Sequence, residues 1–273
     1  MAPALQYIDS HAHLDSEQFD VDRRDVIQRA SAAGVGRVVN IGYSPATWES
    51  TLALAEEWDT VSFTLGMHPQ HADEWSPETR GALISLLDRT PVVAVGEIGI
   101  DLYREGASVE LQRRVFADQL DLAEERNLPV VIHQRAAERE VLDVLKGRSR
   151  SLRCVFHSFE GSLEMAEFGL DREYFFGIGG LMTRKSQERL RQILTEIPLE
   201  HILLETDAPY LVPAGLRVRR NEPANIPVIA ERFATLRGIS VEQVATATTR
   251  NAIHLFRLPV ENEAPFPVES PRR

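Results

Sequence analysis

Five of the eight histidines in this 273-residue chain close short apolar runs, and carboxylates close two more. The stretch "YIDSHAHLD" carries His11 and His13. His68 follows in "GMHP", Glu97 in "GEIGID", His133 at the end of "LPVVIH", His157 at the end of "LRCVFH" and Asp207 in "LLETDAP". Any one of these histidines alone reads as a polar residue with a hydrogen-bond partner. As a set they read as ligands, because residues two apart at a strand end point the same way, so that both imidazoles of His11-Ala12-His13 can reach one ion. Imidazole and carboxylate donors suit zinc, manganese or magnesium, and there are too many here for one tetrahedral ion, so two divalent ions are expected. Two such ions can hold a phosphate oxygen, lower the pKa of a water and steady the leaving oxygen of an in-line displacement, which is phosphodiester hydrolysis. In this scheme Asp207 binds metal and accepts the proton of the attacking water. The bland alternative makes it a cap for the turn at "TDAP". Glu205, two positions earlier and on the same side of a strand, is expected beneath the ligands, fixing a histidine tautomer or an arginine. Asp101 and Arg104 are expected only to order the loop after the fourth run.

The elements that must position these groups form one repeated pattern. The runs "LQYID", "RVVNIG", "VSFTLG", "PVVAVGE", "LPVVIH", "LRCVFH", "EYFFGIG" and "HILLETD" are short, rich in Val, Ile and Phe, and apolar without clean alternation, as in parallel strands buried on both faces. Helix signals lie between them. Ser44-Pro45 and Ser76-Pro77 place a cap before a proline at the first helical position, Ser108 opens "VELQRRVFADQLDLAEERN", and Asn127 and Gly147 sit where helices should stop. Eight strands alternating with helices predict a single (β/α)₈ TIM barrel over residues 1–258, with the site at the C-terminal ends of the strands. Two separate α/β domains are the alternative. The Pro-rich, charged end, residues 259–273, is expected to be a flexible tail.

These pieces resemble one family closely, the TatD metal-dependent deoxyribonucleases among the metallo-hydrolase barrels. The matching motifs are "DSHAHLD", "GMHP", "GEIGID", "LPVVIHQR", "FHSFEGS", "LLETDAPYLVP", "NEP" and "TRNAIHLF", in family order from about residue 7 to about 257. The resemblance implies that His11, His13 and Asp207 hold one metal, His133 and His157 the other, and that Glu97 bridges them. It places His68 beside a phosphate or a further metal, and Arg135, Arg217 and Arg219 on the substrate's phosphates. It implies a 3'-5' exonuclease on DNA, with RNA as the alternative substrate and Mg²⁺, Mn²⁺ or Zn²⁺ as the pair of ions. Ala136, Val218 and Asn225 depart from the family pattern, and substrate preference is therefore not carried over.

Charge and composition bound the partners. A formal charge of −11 argues against broad, sequence-blind coating of nucleic acid, yet bound metals supply local positive charge to an enzyme acting on it. Within that acidic chain "LRVRRNEP" gathers Arg217, Arg219 and Arg220, a short cationic lip suited to a nucleic-acid end if it is more than solvated surface. A single cysteine, Cys154, in a strand-like run is a small apolar filler. No run is long enough to cross a bilayer and the start lacks a secretory pattern, so a cytoplasmic protein without a membrane partner is expected. Barrel amidohydrolases and esterases also use H-x-H, but many bridge their metals with a carbamylated lysine. The two lysines here, Lys146 and Lys185, lie at no expected strand end. A hydrolase releasing amino acids from charged tRNA would use the same face. A non-catalytic metal- or partner-binding barrel would be favoured by a lost ligand, and none is lost.

Overall fold

The computed structural model describes residues 6–88 and 92–259. The tail expected from residue 259 lies, from residue 260 on, outside the described residues. Eight parallel strands follow one another in a single sheet in chain order: β1 Tyr7–Ala12, β2 Val35–Gly42, β3 Val61–Leu65, β4 Val92–Asp101, β5 Val130–Arg135, β6 Cys154–Phe156, β7 Phe175–Ile178 and β8 Ile202–Leu204. Helices α1 Arg23–Ala32, α2 Pro45–Glu57, α3 Pro77–Leu87, α4 Val109–Glu125, α5 Glu138–Lys146, α6 Leu163–Asp171, α7 Glu188–Glu196 and α8 Ile226–Arg237 each follow the strand of the same number. A further helix, α9, spans Val241–Phe256. The sheet closes through a parallel bridge between Ala12 and Ala208, with His13 N–H donating to Ala208 O at 2.7 Å and Asp207 N–H to His11 O at 2.9 Å. This is the expected (β/α)₈ barrel.

Local chemistry explains the borders. Ser76 and Thr79 cap α3 reciprocally, Thr79 N–H donating to Ser76 Oγ at 3.2 Å and Ser76 N–H to Thr79 Oγ1 at 2.8 Å. Ser108 Oγ accepts from Leu111 N–H at the start of α4, and Asn127, with φ of 49°, takes the left-handed turn that ends the segment after it. Two buried glutamines of α4, seven residues apart and so on one face, brace strand ends where the sheet ladder stops. Gln112 exchanges hydrogen bonds with the Asp101 backbone at the end of β4, and Gln119 does the same for Met67 just past β3.

The barrel interior is divided into two levels. The lower level is apolar: Ile8, Val39, Ile41, Ala94, Val131, Val155, Phe175 and Leu203 meet from seven strands and are sealed by Ala252, Leu255, Phe256 and Leu258 at the end of α9. The upper level is polar, because two residues further along β5, β6 and β8 the same inward face carries His133, His157 and Glu205. Among the described residues no helix is long and apolar enough to cross a membrane.

Phe256 is 2% exposed and closes the floor. Phe256→Ala should therefore lower stability by about 3–5 kcal/mol, read as a fall in the chemical-denaturation midpoint. A midpoint within error of the parent would mean that α9 merely lies against the barrel.

Candidate metal centre

Glu97 is the hub. It lies in the middle of β4, not at its end as the sequence suggested, because the β4–β5 register breaks between Val95 and Ile98 and the strand then continues to Asp101. Its carboxylate is 4% exposed, and its two oxygens face different neighbours. Oε2 is 3.6 Å from His11 Nε2, whereas Oε1 is 2.7 Å from His133 Nδ1, 3.6 Å from His157 Nε2 and 4.0 Å from His68 Nε2. On the first side Asp207 Oδ1 lies 3.4 Å from His13 Nε2 and 3.7 Å from His11 Nε2. All six expected ligands are thus brought together, with His68 beside them. β1 delivers both its histidines inward because its register against β2 breaks between Asp9 and Ala12. Asp207 sits in the left-handed region at φ of 55°, a conformation costing a non-glycine residue roughly 1 kcal/mol. Its N–H bond to His11 O holds it there.

The donors fit a cation. Both ring nitrogens of His11 and Nδ1 of His13 are buried without a hydrogen-bond partner, and such groups are costly unless something accepts their lone pairs. Separations of 3.4–3.7 Å between His and Asp207 atoms exceed a hydrogen bond. They match two donors each about 2.1 Å from a shared tetrahedral ion, roughly 3.4 Å apart. Three overlapping groups place ligand-type atoms within 4.8 Å of one another: His11, His13 and Glu97; His11, His157 and Asp207; and His68, Glu97 and His133.

Outer carboxylates decide which nitrogen of each histidine faces inward. Glu205 is 1% exposed; its Oε1 lies 3.0 Å from His157 Nδ1 and accepts the Ser158 N–H at 2.6 Å, so that with an ion bound the remaining proton would stay on Nδ1 and Nε2 would face the centre. A Cβ at Gly177 would stand 2.1 Å from Glu205 Oε2, so only glycine on β7 leaves room for this carboxylate. Asp101 is the counterpart that sequence reasoning missed. Its Oδ1 accepts the N–H groups of Tyr103 and Arg104 and so orders the loop as expected, but its Oδ2 is 3.1 Å from His133 Nε2. With a cation beside Glu97, that contact would keep the proton on Nε2 and turn the lone pair of Nδ1, 2.7 Å from Glu97 Oε1, toward the ion. The available signal was position: Asp101 is four residues past Glu97 on one strand, hence on the same face. His68 differs, since its Nδ1 accepts the Gln70 N–H at 3.1 Å. In the neutral ring the proton is then on Nε2, and His68 offers the centre a donor instead of a lone pair.

Electrostatics agree with a site built for positive charge. Burial alone would raise Glu97, yet His157, His133 and His11 hold it well below the usual carboxylate range. Burial likewise lowers His157, but Glu205 and Glu97 outweigh it and lift the imidazole to about 10. Burial and His133 push His68 down to about 3, which keeps it neutral. Asp101, despite burial, is brought down to about 2 by His133 and the backbone N–H groups.

The centre floors a cleft of about 470 Å³ lined also by Tyr43, Arg104, Arg135, Glu160, Arg184 and Tyr210. Arg135 thus lines the cleft above the expected ligands. Arg217 and Arg219 are exposed on the loop between β8 and α8, outside the cleft lining. Arg220, expected beside them, instead grips Asp22 at 2.5 and 2.6 Å and lies over the Phe19 ring, which anchors the loop to the segment before α1.

The profile of the family described as "TatD related DNase" matches residues 8–257. The chain belongs to this family. Among TatD relatives it is 36% identical to the uncharacterized metal-dependent hydrolase YabD of Bacillus subtilis over 92% of this chain and 98% of the relative. It is 38% identical, over the same shares, to a Salmonella typhimurium protein named 3'-5' ssDNA/RNA exonuclease TatD. The crystal structure of the TatD homologue YjjV from Escherichia coli K12 superposes with a TM-score of 0.87 at 33% identity, covering 93% of this chain and 99% of that one. The protein is accordingly a metal-dependent hydrolase of the TatD family, and its lysines, Lys146 at the end of α5 and the exposed Lys185, take no part in the centre.

Asp101→Asn keeps the acceptor for the loop N–H groups and removes the charge that orients His133. Metal affinity measured by chelator competition should fall about 10- to 100-fold. An unchanged affinity would reduce Asp101 to a loop cap.

Proposed function

We propose that this TatD-family chain, acting as one barrel, hydrolyses phosphodiester bonds at the 3' end of single-stranded DNA, with RNA as a second substrate, using two divalent ions. The observation that carries the reading is the division of Glu97: one oxygen toward His11, the other toward His133 and His157. His11, His13 and Asp207 would hold one ion, His133 and His157 the second, and Glu97 both. When bound, Mg²⁺, Mn²⁺ or Zn²⁺ would offset phosphate charge and acidify a water. The Salmonella relative's name supports the polarity and the single-stranded substrate.

The residues then divide the work. Asp207 is the base: its side chain is 15% exposed, against 4% for Glu97, 2% for Asp101 and 1% for Glu205, so it alone of the four carboxylates reaches an incoming water. Glu205 and Asp101 keep His157 and His133 in fixed tautomers. The Nε2–H of His68 donates to a phosphate oxygen, so His68 is a substrate contact and not a further ligand. Arg135 meets substrate in the cleft, while Arg217 and Arg219 meet phosphates further along the strand.

The test is direct. Metal-stripped protein given Mg²⁺, Mn²⁺ or Zn²⁺ in turn should shorten 5'-labelled single strands stepwise and leave blunt duplexes nearly intact. Asp207→Asn should lower turnover at least ~10²-fold. Near-normal turnover in that variant would remove Asp207 as the base, and internal cuts in a circular single strand would remove the exonuclease reading.

Replacing Arg217 and Arg219 with alanine should raise KM for a polynucleotide and leave hydrolysis of bis(p-nitrophenyl) phosphate unchanged, since binding lost equally from ground and transition states shows in KM alone. Each lost phosphate contact should also flatten the dependence of log K on log salt by about 0.7. Unchanged kinetics on both substrates would return the two arginines to solvated surface.

A further inference from the structure

The tyrosines of this chain are unevenly placed. Of five, Tyr7 and Tyr174 are buried, Tyr43 and Tyr210 line the cleft over the metal centre, and Tyr103 lies under Arg135, which also lines it. Tyr103 is 68% exposed and Tyr210 50% exposed, which leaves aromatic surface open on both. Tyr103 follows β4 and Tyr210 follows β8, and four strands apart in a ring of eight is half a turn. The two rings therefore rise from opposite walls.

Each wall has further structure. The Arg135 guanidinium lies 4.0 Å over the Tyr103 ring and itself lines the cleft, so Tyr103 backs a planar cation with no carboxylate in ion-pair range among the described residues. Across the mouth, the Tyr210 ring meets the His13 ring edge-on at 6.0 Å, and Tyr43 meets the same ring at 5.2 Å. A flat group resting on Tyr210 would thus sit one ring away from an expected metal ligand. Arg104, bonded to Gln70 at 3.0 Å, lines the same cleft as Tyr210.

We propose that Arg135 backed by Tyr103, together with Tyr210 on the facing wall, forms a clamp that holds one unpaired nucleobase above the metal centre. The inference rests on the phosphodiesterase reading above and names the part of the substrate that is recognised. Two π-faces accept any base, because every base has a flat face to stack, and they accept it only when it has left its own helix. The clamp therefore selects unpaired ends without reading sequence. Glu160, on the loop after β6, lines the same cleft and leaves the clamp one acceptor for a base or sugar edge.

Binding is tested in the full-length Asp207→Asn protein with Mn²⁺, using a single strand that carries 2-aminopurine at its 3' end and a matched strand with an abasic end. The 2-aminopurine fluorescence should be quenched on binding, and the abasic strand should bind about tenfold more weakly. Tyr210→Ala or Arg135→Ala should remove about tenfold in affinity for the base-bearing strand and leave the abasic strand unaffected, whereas Tyr210→Phe should keep the parent affinity. Equal losses on both strands, or none on either, overturn the clamp. So does absence of binding while chelator competition shows that the variant retains Mn²⁺. With Asp207 intact, cleavage at equal kcat/KM on both strands would keep the nuclease reading and discard the clamp. Quenching that responds to the substitutions without any cleavage would keep the clamp and discard the nuclease.

Discussion

A buried carboxylate shared by several imidazoles is the constraint around which this barrel is arranged. Taking Glu97 out of water is unfavourable by several kcal/mol unless positive charge faces it. Three histidines, from β1, β5 and just past β6, turn ring nitrogens toward it at 2.7–3.6 Å. Their own lone pairs must then be aimed, which requires Asp101 and Glu205 outside them, and Glu205 in turn requires glycine at position 177. Each layer is tolerable only because the next exists. The result has surplus negative charge directed at one small volume, and it is completed by a cation.

β1 and β8 must be held together for the first half of this arrangement to exist, and Asp9 does that. Its Oδ1 accepts the N–H of Thr206 at 2.9 Å and of His11 at 3.2 Å, and its Oδ2 accepts the Thr206 hydroxyl at 2.5 Å. Burial pushes the Asp9 carboxyl up to about 7 even so. The His11-Ala12-His13 and Glu205-Thr206-Asp207 segments are thereby fixed to each other at the barrel seam, where the ladder is reduced to a single bridge.

Much of this was legible because a parallel barrel turns linear order into position. Strand ends become one face, so His11, His13, His133, His157 and Asp207 could be gathered from their places behind apolar runs. What could not be read was anything decided by an interruption of the ladder. The register break at Glu97 moved it to mid-strand without changing its direction, and the continuation of β4 to Asp101 made a residue that looked like loop into a histidine's partner. Arginines were the other failure. Arg217, Arg219 and Arg220 look alike in sequence, but Arg220 has Asp22 within reach and the other two do not line the cleft. Which cation in a run finds a partner depends on a contact across about two hundred residues, and no local pattern records it.

The apolar floor has a further bearing on how the molecule works. With Leu255, Phe256 and Leu258 plugging the base of the barrel, the cleft is a cul-de-sac. A polymer cannot be threaded through it, and whatever is released must leave by the opening through which the chain came in. Arrival and departure are therefore in competition for one doorway. Traffic has to alternate, and the pace of a working cycle can be set by how quickly the doorway clears.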